Sequence, residues 1–122
     1  MKILGLGTDI VEIERIEKAI NKTEKFREKV FTDKEILYCE GKATKYQSYA
    51  GRFCVKEAIS KAMGTGVRNF ELKDIEVLND ELGKPFGVFY GNLKEYFGDK
   101  NLMITISHCK EYATATAIIL EK

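Results

Sequence analysis

The sequence predicts an α+β domain, and three observations carry that prediction. Apolar residues recur at helical spacing through the first half, at Ile13, Ile16 and Ile20 and again from Tyr46 to Met63. Beyond Gly64-Thr65-Gly66 the period shortens to that of strands, with Leu72, Ile75 and Val77 in one segment and Pro85 to Tyr90 in the next. The chain then closes on two β-rich runs, Leu102 to Ser107 and Tyr112 to Leu120, separated by the polar stretch His108-Cys109-Lys110-Glu111. The expected order is an N-terminal strand, then helices including one long one, then an antiparallel sheet.

Each element has a local reason. Lys2 to Gly7 is short, apolar and punctuated by glycine, as in a strand that ends at a loop. Asp9-Ile10-Val11-Glu12 has the acid-x-x-Glu form of a helix start, with an apolar face running to about Asn21. Thr32-Asp33-Lys34-Glu35 is a second capping box, opening a short helix that ends near Gly41. Thr44 is placed to cap the long helix, and Gly64 stands where a C-terminal glycine belongs. Asn79 to Lys84 reads as a turn between two strands, and Asn92 to Phe97 as a short helix.

Composition narrows the function classes. At 122 residues the chain, 1–122, is expected to form one unit, so a large site calls for a partner subunit. Hydrophobic residues make up 44% and charged residues 32%, the balance of a folded globular chain. The longest apolar runs, such as Ala117 to Leu120, are too short to cross a bilayer, and the N-terminus lacks the long apolar region of a signal peptide. A cytoplasmic protein is expected. Cys39, Cys54 and Cys109 are odd in number and form no Cys-x-x-Cys pair, which points to reduced thiols rather than a disulfide framework or a zinc site. A formal charge of +1 offers no global field for nucleic acid or an acidic membrane, so any acidic partner must be drawn by a local patch.

In "GRFCVKEAISKAMGTG", Glu57 and Lys61 fall on the same semi-apolar face as Tyr46, Ala50, Phe53 and Cys54 at about 100° per residue. They read either as an ordinary i, i+4 ion pair or, because charge on an apolar face costs desolvation, as ligands of a cation or phosphate. Asp9 is either an N-cap or, following Gly5-Leu6-Gly7, a ligand-facing carboxylate at a strand end. The two carboxylates together would suit Mg2+, which takes one or two carboxylates and completes its octahedron with water and phosphate oxygens. His108, the only histidine, either caps the closing hairpin or, with Lys110, meets a phosphate. Gly83-Lys84-Pro85 is a turn whose lysine is exposed to an anionic ligand. Arg15, Lys18, Lys22 and Lys25, at spacings of 3, 4 and 3, form one basic stripe if the first helix runs that far. That stripe is either a solvated face or a dock for an acidic protein.

Taken in order and spacing, "GLGTDIVEIERI", "GRFCVKEAISKAMGTG", "GKP" and "ISHCKEYATA" resemble the holo-acyl-carrier-protein synthases, the small single-domain members of the 4'-phosphopantetheinyl transferase superfamily. The resemblance covers nearly the whole chain and implies that fold. It implies transfer of 4'-phosphopantetheine from coenzyme A to a serine of apo acyl carrier protein, releasing adenosine 3',5'-bisphosphate, in support of fatty acid synthesis. It assigns Mg2+ to Asp9 and Glu57, and makes Lys61 the contact to the same phosphates. The serine's proton would pass to Glu57 or to a metal-bound water, and the sequence leaves both open. By similarity Arg52, Gly64, Lys84, Pro85 and His108 line the coenzyme A site, with Arg52 or His108 near the 3'-phosphate. A homotrimer with active sites between subunits is implied, as is docking of the acidic carrier protein on the basic stripe, Arg15 first. Cys109 departs from the hydroxyl residue expected after His108, which touches only a minor phosphate contact. Two rivals stand beside this reading: a trimer that binds coenzyme A as a sensor without turnover, and an enzyme serving a carrier domain of a peptide or polyketide synthase.

Overall fold

One long helix organises the molecule, which we describe from a computed structural model of residues 1–122. The elements are β1 (Ile3–Glu12), α1 (Ile13–Lys22), α2 (Glu24–Val30), α3 (Asp33–Glu40), α4 (Lys45–Met63), a 3-10 turn (Leu72–Asp74), β2 (Ile75–Asn79), β3 (Pro85–Phe89), α5 (Asn92–Phe97), β4 (Lys100–His108) and β5 (Tyr112–Glu121). The strands form two antiparallel sheets, β1-β5-β4 and the hairpin β2-β3, where one was expected. β1 is not a separate opening strand. It pairs along its length with β5, so the two ends of the chain share one sheet.

The approach of α4 to that sheet follows from side-chain size. Along β1 the residues Gly5, Gly7, Asp9 and Val11 alternate toward the helix. A methyl group at Gly5 would lie 1.9 Å from the Ala62 carbonyl oxygen, and one at Gly7 would lie 2.0 Å from that of Ala58. Backbone therefore packs on backbone. On β5 the buried alanines Ala113, Ala115 and Ala117 pair with Val11, Asp9 and Gly7 and extend the small-residue floor. Ile59, Val55 and Tyr49 close the core from the helix side, with Phe31, Ile75, Leu93 and Ile119 around them.

The other face of this sheet is open. Its cross-strand rows are Leu6, Ile118 and Met103, then Thr8, Thr116 and Thr105, then Ile10, Thr114 and Ser107. Leu6, Ile10 and Met103 are each more than half exposed. No helix is long and apolar enough to cross a membrane.

Three local expectations are corrected. Asp9 is not an N-cap, because the β1 ladder continues to Glu12 and α1 starts at Ile13, whose N–H is bonded to the Glu111 carbonyl. The first helix does not reach Lys25, since Thr23 is extended and caps α2, a helix that the apolar periodicity did not reveal. Thr44 precedes α4 without a side-chain cap. The capping box at Thr32 and Glu35 forms as expected, and Gly64 ends α4 at φ 61°, a conformation that favours glycine.

Candidate active site

The strand phase that turns Gly5 and Gly7 to the helix also turns Asp9 to it, one pleat further on, opposite Glu57 and Lys61. Lys61 Nζ donates to Asp9 Oδ1 at 3.2 Å and to the Thr8 carbonyl at 3.0 Å. The i, i+4 pair between Glu57 and Lys61 does not form, because the strand carboxylate competes for the lysine. Glu57 is left half-buried without a cation, and burial together with the charge of Asp9 raises its pKa. The Cys54 thiol is pushed up to about 12 by burial and by the same two carboxylates, so it stays protonated.

Asp9 and Glu57 line one cavity of about 390 Å³, whose remaining wall is largely apolar and includes Ile16, Ala19, Phe26 and Phe53, with Arg15 among its lining residues. Two half-screened carboxylates sharing a cavity repel each other, and one exposed lysine on Asp9 offsets only part of that charge. A divalent cation would offset the rest. The donor set fits Mg2+, which needs only one or two protein carboxylates; no group of three or more His, Cys, Asp or Glu side chains is arranged as a metal cage.

A second cavity of about 260 Å³ lies at the other side of α4, between that helix, the β2-β3 turn and β4. Arg52, Pro85 and His108 line it together, with Tyr38, Asn79 and Gly83. Arg52 is 5% exposed, donates from Nη2 to Asn79 Oδ1, and leaves a buried Nε–H without an acceptor. A buried guanidinium with an open donor is suited to a phosphate. Gly64 and Lys84 line neither cavity, and the exposed Lys84 flanks the turn that supplies Pro85. The basic stripe is shorter than expected: Lys18 is tied to Glu14 at 3.1 Å, and Lys25 sits on α2. Sequence reasoning passed over Tyr38 and Asn79. Both meet Arg52 only through tertiary packing, and neither lies in a motif.

The model of the 4'-phosphopantetheinyl transferase superfamily matches residues 5–117. A holo-acyl-carrier-protein synthase of Fusobacterium nucleatum is 52% identical over 122 residues, covering 97% of this chain and 99% of that one. Among solved structures, a holo-acyl-carrier-protein synthase of Bacillus anthracis in complex with CoA (3',5'-ADP) is 36% identical at a TM-score of 0.82, covering 98% of both chains. That of Neisseria meningitidis is 30% identical at a TM-score of 0.87, over 99% of this chain and 100% of its own.

Proposed function

Because the chain belongs to the 4'-phosphopantetheinyl transferase superfamily, among its holo-acyl-carrier-protein synthases, we propose that residues 1–122 act as one transferase domain that moves 4'-phosphopantetheine from coenzyme A to a serine of apo acyl carrier protein. The serine Oγ attacks the phosphorus bearing the pantetheine arm as the anhydride P–O bond breaks, and adenosine 3',5'-bisphosphate leaves. The observation that carries this reading is the close packing of β1 on α4, which faces Asp9 toward Glu57 at the mouth of one cavity.

In this reading Asp9 and Glu57 hold Mg2+, which when bound would neutralise charge on the diphosphate and favour its displacement. Lys61, exposed and tethered only through Asp9 and the Thr8 carbonyl, can turn to the same phosphates as a point charge. Glu57 is the group of this chain that can accept the proton the serine loses. Arg52 and His108 take the nucleotide end, the guanidinium of Arg52 serving its 3'-phosphate. Fatty acid synthesis in the cytoplasm is the setting that small chains of this type serve, and three free thiols agree with a reducing compartment.

No residue lines both cavities, and the open sheet face at Leu6, Ile10 and Met103 needs cover. A homotrimer meets both needs if the carboxylate cavity of one subunit adjoins the Arg52 cavity of the next. Leu6→Asp puts a charge in that face and is expected to give monomers by sedimentation, with turnover lost at assay concentrations; trimeric Leu6→Asp would remove this face from the interface.

Arg15, beside the carboxylate cavity, is proposed as the first dock for an acidic carrier helix, whose apolar residues would enter among Ile16, Phe26 and Phe53. Arg15→Glu should raise the carrier-protein KM roughly tenfold at low salt and leave coenzyme A binding unchanged. Carrier kinetics that do not move at low salt exclude the dock.

The experiment that tests the whole reading is intact-mass spectrometry of apo acyl carrier protein incubated with the chain, coenzyme A and Mg2+. A gain of one phosphopantetheine that EDTA abolishes supports it. No gain with any carrier protein, despite coenzyme A binding, favours a sensor.

A further inference from the structure

The guanidinium of Arg52 is buried, yet it is absent from every ion pair in the molecule. Its partners are neutral. On one side the amide oxygen of Asn79 accepts from Nη2; on another the ring of Tyr38 lies with its centroid 4.2 Å from Arg52 Cζ. A buried positive charge is ordinarily matched by a carboxylate, which would also cancel its attraction for an anion. An aromatic face attracts the cation and fixes its plane without cancelling its charge.

Tyr38 carries a second cation, since Lys42 Nζ stands 4.7 Å from the same ring centroid. The Tyr38 hydroxyl makes no hydrogen bond within the chain, and the ring lines the cavity that holds Arg52 and His108. Two positive groups gathered on one ring at the rim of a cavity repel each other until an anion arrives.

We propose that Tyr38 is a positioning residue that stacks on Arg52 and presents it, uncancelled, to the 3'-phosphate of coenzyme A, and so sets the preference of the enzyme for the 3'-phosphorylated donor. This rests on the reading of Arg52 as a phosphate ligand. α3 thereby contributes to donor selection although it carries none of the sequence motifs. The contact works through the ring face, so phenylalanine preserves it and leucine removes it.

The test compares coenzyme A with 3'-dephospho-coenzyme A as donors, in steady-state kinetics of the full chain and of Tyr38→Leu, Tyr38→Phe and Arg52→Gln. Tyr38→Leu is expected to raise the KM for coenzyme A roughly tenfold with kcat little changed, and to leave the KM for the dephospho donor where it was. Tyr38→Phe restores the low KM for coenzyme A. An equal rise for both donors in Tyr38→Leu, or no rise at all, overturns the proposal. Arg52→Gln separates the two levels: if it penalises both donors alike, Arg52 does not read the 3'-phosphate and the underlying reading fails. If Arg52→Gln is selective and Tyr38→Leu is silent, only the role of Tyr38 falls.

Discussion

Asp9→Ala and Glu57→Ala are each expected to lower turnover by about two orders of magnitude or more while leaving the chain folded, since removing a group that merely hydrogen-bonds a metal ligand already costs roughly ten- to a hundredfold. The two changes should differ in their structural consequences. Asp9 holds Lys61, and its loss releases a partly exposed pair of small energetic weight. Glu57 has no hydrogen-bonded partner, and burial and the charge of Asp9 raise its pKa from its ordinary value, so its ionised form opposes folding near neutral pH. Removing it is therefore expected to leave the melting temperature unchanged or to raise it. A variant that is more stable and nearly inactive identifies a carboxylate kept for chemistry. Mg2+ titration of the rate, read beside thermal melts, checks both halves. A near-normal rate at ordinary Mg2+ in either variant would refute the metal assignment.

Much of this arrangement was legible in the sequence where the signal is local. The Thr32 and Glu35 box, the Gly64 stop and the closing hairpin around His108-Cys109-Lys110-Glu111 depend on a few neighbouring residues, and each forms as read. Asp9 shows the limit of local reasoning. Its acid-x-x-Glu setting satisfies the helix-start rule, but pairing of β1 with β5 carries the strand past it to Glu12. The register with Ala115 and Ala113 lies more than a hundred residues away in the chain, where no window on the N-terminus can find it. Gly5 and Gly7 held the better clue, because alternate glycines in a strand mark close backbone approach, and Asp9 shares their phase. α2 was missed because its seven residues are too few for a periodic pattern to stand out. The Arg52, Asn79 and Tyr38 cluster draws on α4, β2 and α3, and only packing brings it together.

Lys56→Met is expected to be the most destabilising single change in the helix that carries Glu57. Lys56 is fully buried, and its Nζ donates to the Val30 carbonyl at 2.6 Å, to Glu35 Oε1 at 2.7 Å and to the Leu72 carbonyl at 3.2 Å. Glu35 in turn accepts from the backbone of Thr32 through Oε1 and from that of Val77 through Oε2. Methionine fills most of the volume, but it strands a carboxylate in the core and two carbonyls without that donor, at a cost of about 3–5 kcal/mol. For a chain of this size that is a fall in melting temperature of roughly 10–25 °C. Adding Glu35→Gln removes the stranded charge but keeps only one of the two acceptors that Thr32 and Val77 use, so the double variant should recover part of the loss. A double variant no more stable than Lys56→Met would place the cost in packing instead of charge. The network also reaches function, because the Val77 bond ties Glu35 to β2, and the hairpin that begins there supplies Asn79, Gly83 and Pro85 to the Arg52 cavity. Assayed below its melting temperature, Lys56→Met should therefore raise the coenzyme A KM more than the carrier-protein KM. Arg15→Glu should do the opposite, since its cavity lies under α1 and owes nothing to that hairpin.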